Sequence, residues 1–384
     1  MLCVGGGSGG HITPIVAVID KLQSGKRTVN WEVRVWCDRK FVDQARRLLG
    51  NKVRVDVIAA GKLRRYANLK WWYRWFSPYH IIHTHIPNLV DLFKIMIGFI
   101  QSLFKMLIWR PDVVFCKGGY VCLPVGLVAH LYHIPLVIHD SDTVPGLTNR
   151  VLAKYASAIG TGAPIQNYPS YPKGITRFIG VPVRSEVKHI SLSEQLNMRT
   201  ELNLDPNRPV ILAMGGGLGA IAINNAMIAN ASKLVKSGYQ VVLLAGRGHQ
   251  VEVPKAAKKY FYAYGFSDKV VEFEQVADVV VTRAGATTMA ELAAIGVATI
   301  IVPSPYLAGD HQTKNAMVYK KAGAAEVINE FDMKDDPKIL FDAIDNLLSD
   351  KTRRANLAKN LHTFAKPHAL DGMVQMILDA CKNE

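Results

Sequence analysis

This sequence predicts an α/β protein built from two similar parallel-sheet domains, and three observations carry that expectation. At 384 residues the chain exceeds the roughly 250–300 residues at which one hydrophobic core stops growing. Short apolar runs alternate with helix-like stretches through both halves, the βα pattern of a mostly parallel sheet. Two glycine clusters, VGGGSGGHITP at residues 4–14 and GGGLGA at residues 215–220, each follow an apolar run and precede a helix-like stretch. The second half therefore repeats the plan of the first: strand, glycine loop, helix, then further βα units.

Taken in order, residues 1–4 read as a strand end and residues 12–22 as a helix. Four residues precede Gly5, which makes this strand brief or the start of the chain trimmed. Residues 33–36 and 53–58 read as strands, and residues 111–116 as a strand entering the pair Gly118 and Gly119. Residues 136–139 are apolar, and after residues 140–145 a helix is predicted over 147–155. Proline, glycine and tyrosine crowd residues 164–182, break the periodicity and predict a passage between domains. A helix over 191–202 precedes a strand over 210–214, the second glycine loop and a helix over 221–236. Residues 241–245, 279–281 and 299–302 complete the predicted strands.

Composition narrows the function. With 49% hydrophobic and 20% charged residues the chain is neither disordered nor fibrous. Five scattered cysteines, without a CxxC pair, fit neither a zinc site nor a disulfide framework and predict a reducing compartment. The N-terminus enters a glycine loop with no basic stretch ahead of an apolar one, so no signal peptide is expected. A formal charge of +15 calls for an anionic partner: a membrane, a nucleic acid or a phosphorylated substrate. No zinc-finger, RNP or helix-turn-helix pattern supports nucleic acid, which is not expected as a partner.

Glycine suits such loops because it tolerates positive φ and lets backbone approach a phosphate, while the helix behind it offers free N–H groups. Neither loop is a Walker motif, since no GK[ST] follows, and no acidic ribose ligand follows the next strand, which argues against hydride transfer. Tight strand–helix packing without a ligand is the alternative for either loop. His11 falls in the first helical turn beside the first loop. A positive helix end keeps an imidazole neutral, so it could serve as a base; it could also merely cap or pack.

Residues 62–76, KLRRYANLKWWYRWF, hold five basic residues and three of the six tryptophans. Such a mixture suits an anionic bilayer surface. Residues 90–109 are mostly apolar but carry Asp91, Lys94, Gln101 and Lys105, so they predict a helix lying on a membrane or buried in the domain, not a span. An ordinary buried helix with a solvated basic loop, or base stacking by the aromatics, are the alternatives.

Seven motifs occur in this order, within a resemblance that runs from Gly5 to about Pro367: GGGSGGHITP (5–14), RPDVVFCKGGYVCLPVGLVAH (110–130), HDSDTVPGLTNR (139–150), GVPVR (180–184), GGGLGA (215–220), RAGATTMAEL (283–292) and DHQTKNA (310–316). The set resembles the lipid II-forming glycosyltransferases of peptidoglycan synthesis, the undecaprenyldiphospho-muramoylpentapeptide β-N-acetylglucosaminyltransferases. The resemblance implies two Rossmann-like domains facing a cleft, the GT-B glycosyltransferase fold. It implies an acceptor and membrane domain over residues 1–163, a junction over 164–209, a UDP-sugar domain over 210–366, and a last helix, 367–384, crossing back to the first domain. It also implies peripheral attachment to the cytoplasmic face of the cell membrane, UDP-N-acetylglucosamine and undecaprenyl-linked muramoyl-pentapeptide as substrates, and cell-wall synthesis proteins as partners. Inversion in one displacement follows, with no cofactor and no essential metal ion.

By the same resemblance, Glu291 holds the ribose hydroxyls of UDP, Gln312 beside His311 reaches the sugar, Asn315 supports that loop and Arg184 contacts the nucleotide. Gly215, Gly216, Gly217 and Gly219 hold the diphosphate, and Ser8, Gly10 and Asp142 complete the donor side. Gly9, Gly10, Gly118, Gly119, Tyr120, His139 and Asp140 receive the acceptor, and His11 is the base candidate. Two departures stand out. Gly217 occupies a position where the family usually has serine, and His139, Asp140, Ser141 and Asp142 replace a common HEQN. Asp142 puts a carboxylate near a lipid pyrophosphate and is an alternative base. Other readings are another UDP-sugar:lipid transferase, a UDP-N-acetylglucosamine epimerase, or a non-catalytic UDP-sugar-binding protein at the membrane.

Overall fold

The computed structural model describes every residue except Ser8 and residues 25–30, 64–76, 78–80, 307–309 and 383–384. The chain forms two compact units: Met1–Arg184 with His368–Glu384, and Ser185–Pro367.

In the first unit the strands and helices alternate as β1 (Leu2–Gly5), α1 (Gly9–Ser24), β2 (Arg34–Cys37), α2 (Val42–Leu49), β3 (Arg54–Val57), α3 (Ile86–Ile108), β4 (Val114–Gly118), α4 (Cys122–Leu131), β5 (Leu136–Asp140), α5 (Leu147–Leu152), β6 (Ala158–Thr161) and β7 (Thr176–Phe178). The sheet is parallel, in the order β3-β2-β1-β4-β5-β6-β7. β1, β4 and β5 are buried along their whole length, as strands covered by helices on both faces must be, so they read as mainly apolar runs, with Lys117, His139 and Asp140 the buried charged or polar exceptions near the strand ends. The register slips between Val4 and Gly5 where β1 meets β4, at the mouth of the first glycine loop.

The second unit contains α6 (Leu192–Glu201), β8 (Val210–Met214), α7 (Ile221–Ala229), α8 (Ala231–Lys236), β9 (Gln240–Leu244), β10 (Phe261–Tyr264), α9 (Val270–Val276), β11 (Val279–Thr282), α10 (Ala286–Ile295), β12 (Ala298–Ile301), α11 (His311–Lys321), β13 (Glu326–Val327), α12 (Glu330–Asp335), α13 (Lys338–Ser349) and α14 (Lys351–His362). Its parallel sheet runs β10-β9-β8-β11-β12-β13. The last helix, α15 (Ala369–Lys382), belongs to the first unit. Met373, Val374, Met376 and Ile377 share a core with Ile12, Ile15, Val16 and Ile19 of α1, and Lys21 pairs with Asp371 at 2.8 Å.

Residues 164–182, expected as a passage between domains, lie wholly in the first unit, and the junction implied over 164–209 is divided between the two units at Arg184/Ser185. β7 extends the first sheet beside β6, and Tyr168 and Tyr171, stacked with centroids 5.2 Å apart, are core side chains of that unit. Their hydroxyls explain why tyrosine rather than phenylalanine stands there: each hydrogen-bonds the end of β5. Beyond Ser185 the chain is part of the second unit. Ser191 and Glu194 form a capping box that starts α6, and buried Arg199 donates to Val276 O at 2.8 Å and pairs with Asp278 at 2.7 Å. The helix expected over 221–236 breaks at Asn230, whose amide donates to Ala226 O and Pro337 O.

α3 inverts the usual pattern of a surface helix. Its buried residues are Asp91, Gly98, Ser102 and Met106, a narrow stripe of mostly small or polar side chains. A Cβ on Gly98 would lie 2.0 Å from Ala59 O, so glycine is what lets the helix lie directly on that loop's backbone. Gln101 Oε1 accepts from Ala59 N at 2.9 Å. The apolar majority points outward: Phe93, Ile97, Phe104, Leu107 and Ile108 are all exposed, Ile108 to 85%. The basic aromatic stretch before it lies, from residue 64 to 76, outside the described residues.

Candidate functional site

In the first unit, two glycine turns meet over one histidine. β1 ends at Gly5, and α1 begins at Gly9, which puts Gly9, Gly10 and His11 in its first turn with no acidic residue among them. Gly6 leaves no room for a side chain, since a Cβ there would meet Asp38 Oδ2 at 2.3 Å. The N–H of Gly7 donates to the same oxygen at 2.6 Å. From β4, Gly119 has φ +89° and its Cβ would sit 2.0 Å from Gly6 O and 3.0 Å from His11 Nδ1. Gly118, at φ +119°, faces His11 Nε2. Only a residue without a side chain fits either place. The ring of Tyr120 lies against Gly7, and burial with the nearby Asp38 carboxylate pushes its phenol up to about 12.

His11 Nδ1 contacts the Gly6 carbonyl. A carbonyl can only accept, so the proton is on Nδ1 and Nε2 carries the lone pair, turned toward Gly118. Burial holds the imidazole below its ordinary value, and the charge of Lys117 lowers it further against the opposing pull of Asp142 and Asp38. This is a neutral base in one tautomer at a helix N-terminus.

His139 and Asp140, expected on the acceptor, are committed inward. His139 is fully buried and donates from Nε2 to Gly180 O at 2.8 Å; burial holds it well below the usual imidazole range. Asp140 Oδ2 accepts from Tyr171 at 2.6 Å and from Gly146 N at 3.0 Å, while burial raises its carboxyl. Asp140 braces the loop after β5, and His139 ties the end of β5 to the chain beyond β7. Asp142, half-buried, is held through its carbonyl by Tyr168 at 2.5 Å, and its charge acts on both His11 and Lys117. Arg184 is half-buried at the end of the first unit, and Ser8 lies outside the described residues.

The second glycine loop is built for a different task. Gly216 and Gly219 have φ of +78° and +76°. A Cβ on Gly219 would lie 1.9 Å from Ala245 O, and one on Gly215 2.3 Å from Ala220 N, whereas Gly216 faces open space. Gly217 O accepts from Arg247 N at 3.2 Å, and His249 donates from Nε2 to Leu218 O at 3.1 Å. α7 follows without a side-chain cap, leaving N–H groups and the positive helix end for an anion. A cavity of about 680 Å³ opens beside it, lined by Gly219, Asn225, His249, Arg283, Tyr306 and Lys334, among others.

Three of that cavity's residues escaped the sequence reading as a group. Glu330, nearly buried, pairs with Arg283 and Lys334, each at 2.5 Å, and Lys334 donates to Tyr306 at 3.2 Å. Burial opposes ionisation of Glu330, but the two cations win and hold it below the usual carboxylate range. Arg283 was visible in RAGATTMAEL; the i,i+4 spacing of Glu330 and Lys334 was the available signal for the rest. Glu291 is buried within α10, and Asn315 ties α11 to the loop before α10 by donating to Ala284 O at 3.1 Å. Gln312 spends its carbonyl on Ser304 N at 2.9 Å, which leaves its NH₂ for a ligand, and His311 opens α11 next to it. Among the described residues no cluster of His, Cys, Asp or Glu could hold a metal.

Comparison with known proteins agrees with this two-part arrangement. The N-terminal domain of glycosyltransferase family 28 matches residues 1–161, and the family's C-terminal domain matches residues 210–372. A UDP-N-acetylglucosamine–N-acetylmuramyl-(pentapeptide) pyrophosphoryl-undecaprenol N-acetylglucosamine transferase of Lactiplantibacillus plantarum is 31% identical over 385 residues, covering 98% of each chain. The protein of the same name from Shouchella clausii is 32% identical over 86% of each chain. Among solved structures, MurG of Acinetobacter baumannii superposes with a TM-score of 0.68 at 24% identity over 99% of both chains. A UDP-GlcNAc 2-epimerase of Neisseria meningitidis reaches 0.64 at 14% identity over 98% of this chain and 99% of its own, a likeness of fold alone.

Proposed function

The chain belongs to glycosyltransferase family 28, and from that premise we propose that it transfers N-acetylglucosamine from UDP-N-acetylglucosamine to the muramoyl 4-hydroxyl of undecaprenyl-pyrophosphoryl-muramoyl-pentapeptide. Its two Rossmann-like units are those of a GT-B glycosyltransferase. The observation that carries the reading is the half-buried, neutral imidazole of His11, fixed in one tautomer between two glycine turns. Nε2 takes the proton of the 4-hydroxyl as that oxygen attacks the anomeric carbon from the face opposite UDP, so configuration inverts in one displacement. UDP departs from the second unit, where the N–H groups of the Gly215–Gly219 loop and the start of α7 meet its growing charge. Glu291, Gln312, His311 and Arg184 hold the nucleotide sugar, with Asn315 behind them. Asp142 is the second base candidate because it is half-buried with its charge acting on His11.

Attachment to the cytoplasmic face of the membrane is part of the same proposal. No described helix is long and apolar enough to cross a bilayer. The outward face of α3 carries exposed Phe93, Phe104, Leu107 and Ile108 on a chain of net charge +15, which suits insertion into an anionic surface. Glutamates in place of Phe104 and Leu107 are expected to abolish co-sedimentation with phosphatidylglycerol vesicles.

The deciding assay supplies radiolabelled UDP-N-acetylglucosamine and a short-chain lipid acceptor in the presence of chelator. Label in a disaccharide lipid is expected. Formation of an epimeric sugar from UDP-N-acetylglucosamine without acceptor would identify an epimerase, and binding without turnover a non-catalytic protein. His11→Ala is expected to lower kcat by roughly 100–10,000-fold, as loss of a general base does. If Asp142→Asn causes that loss and His11→Ala does not, the base is Asp142.

A further inference from the structure

Lys117 is buried to 1% exposure at the end of β4, one residue before the Gly118–Gly119 turn that faces His11. Its ammonium donates to Ser141 Oγ at 2.5 Å, and Ser141 Oγ lies 3.4 Å from His139 Nδ1. The direction of this chain is fixed. His139 spends its Nε2 proton on Gly180 O, so Nδ1 accepts from Ser141, and Ser141 in turn accepts from Lys117. An ammonium has three N–H donors, and among the described residues Ser141 takes one. A buried cation with spare donors is costly unless an anion completes it. The acidic charges acting on it are Asp140 at the end of β5 and Asp142 in the loop that follows, with Cys122 of α4 contributing weakly. The cation in turn acts on His11 and His139.

We propose that Lys117 is a positioning residue of the acceptor site, a fixed cation that offsets Asp142 and presents its remaining donors to the diphosphate of the lipid-linked acceptor. This rests on the transferase reading above. It answers the difficulty that Asp142 raises: a carboxylate beside a pyrophosphate is tolerated because a buried ammonium stands within the same loop cluster. It also gives Ser141 a task, since its hydroxyl holds the ammonium in place.

Lys117→Met is expected to raise KM for the short-chain acceptor at least tenfold while KM for UDP-N-acetylglucosamine changes less than twofold. The same variant removes a positive charge near His11, leaving Asp142 and Asp38 to raise the imidazole, so the acid limb of kcat/KM moves to higher pH. The double variant Lys117→Met, Asp142→Asn is expected to return the acceptor KM to within threefold of wild type and bring the acid limb back. Ser141→Ala, which keeps the ammonium but frees it, is expected to raise the acceptor KM in the same direction by a smaller factor. Equal rises in both KM values with an unmoved acid limb, or no rescue in the double variant, would overturn the proposal and leave Lys117 a purely structural residue. Calorimetry of inorganic pyrophosphate on the UDP-saturated protein separates this from the activity: weaker binding in Lys117→Met supports the site even if wild type proves to transfer to no lipid acceptor, and unchanged binding overturns it. Should Lys117→Met fail to fold, Ser141→Ala and Lys117→Gln carry the same measurements.

Discussion

The two glycine loops occupy the same place in two similar units, yet they are finished differently. In the first, the turn packs against a second glycine turn, with half-buried His11 beside the buried ionisable side chains Lys117, His139 and Asp140. In the second, Gly219 packs against backbone at Ala245, Gly216 is open, and the charged groups nearby are paired with one another around Glu330. One loop is arranged to hold a proton acceptor at low dielectric, the other to leave N–H groups free for an anion. In the proposed reaction the same strand–loop–helix unit serves base chemistry in one place and leaving-group stabilisation in the other, according to what the neighbouring strands place beside it.

The comparison breaks most sharply at Gly119. Gly119→Ala forces a Cβ to 2.0 Å from Gly6 O at a φ of +89°, and is expected to cost more than about 4 kcal/mol, while Gly216→Ala, at a similar φ but in open space, costs about 1 kcal/mol. Thermal unfolding of the two variants measures the gap, and equal losses would refute the packing argument. Arg283→Met leaves Glu330, whose side chain is 2% exposed, with Lys334 as its remaining cation; a loss of about 3 kcal/mol in urea unfolding is expected, as for a broken buried pair.

A pH–rate profile tests the first loop directly. The base must be unprotonated, and burial with Lys117 holds His11 below 6.5, so transfer is expected to persist beneath pH 6.5 and to fall about tenfold per unit once pH drops through the histidine's own value. An acid limb above 6.5 would show that His11 is not the titrating group. The smallest effect belongs to the second loop. Gly217 lies outside the positive-φ set, so Gly217→Ser needs no strained backbone. One added hydroxyl on the diphosphate is expected to lower KM for the nucleotide sugar by up to about tenfold, the worth of a single hydrogen bond. No change would place the diphosphate away from position 217.

Much of this was legible along the chain. The runs at β1, β4, β5, β8, β9 and β11 are buried along their length, so each is mainly apolar, with polar residues such as Lys117, His139 and Asp140 at the strand ends, and the glycine clusters follow β1 and β8. Edge strands β7, β10 and β13 were not legible, because a two- to four-residue strand covered on fewer sides needs no apolar run. Residues 164–182 looked like a linker because proline and tyrosine interrupt periodicity, and only packing shows that Tyr168 and Tyr171 are core residues tied to Asp140.

The sequence by itself determined the α/β class, the tandem repeat of strand, glycine loop and helix, and the position of His11 in the first helical turn, since these depend on local residue order. Tertiary structure alone decided which face of α3 turns outward, that His139 and Asp140 are committed to Gly180 and Tyr171, and that Lys117, 106 positions after His11, shares its electrostatic field. The last two depend on side chains at the C-terminal ends of β1, β4 and β5, central strands of a sheet whose order, β1-β4-β5, is not the order of the chain. Charge and burial act through space, and the spacing of residues along the sequence carries no record of that distance.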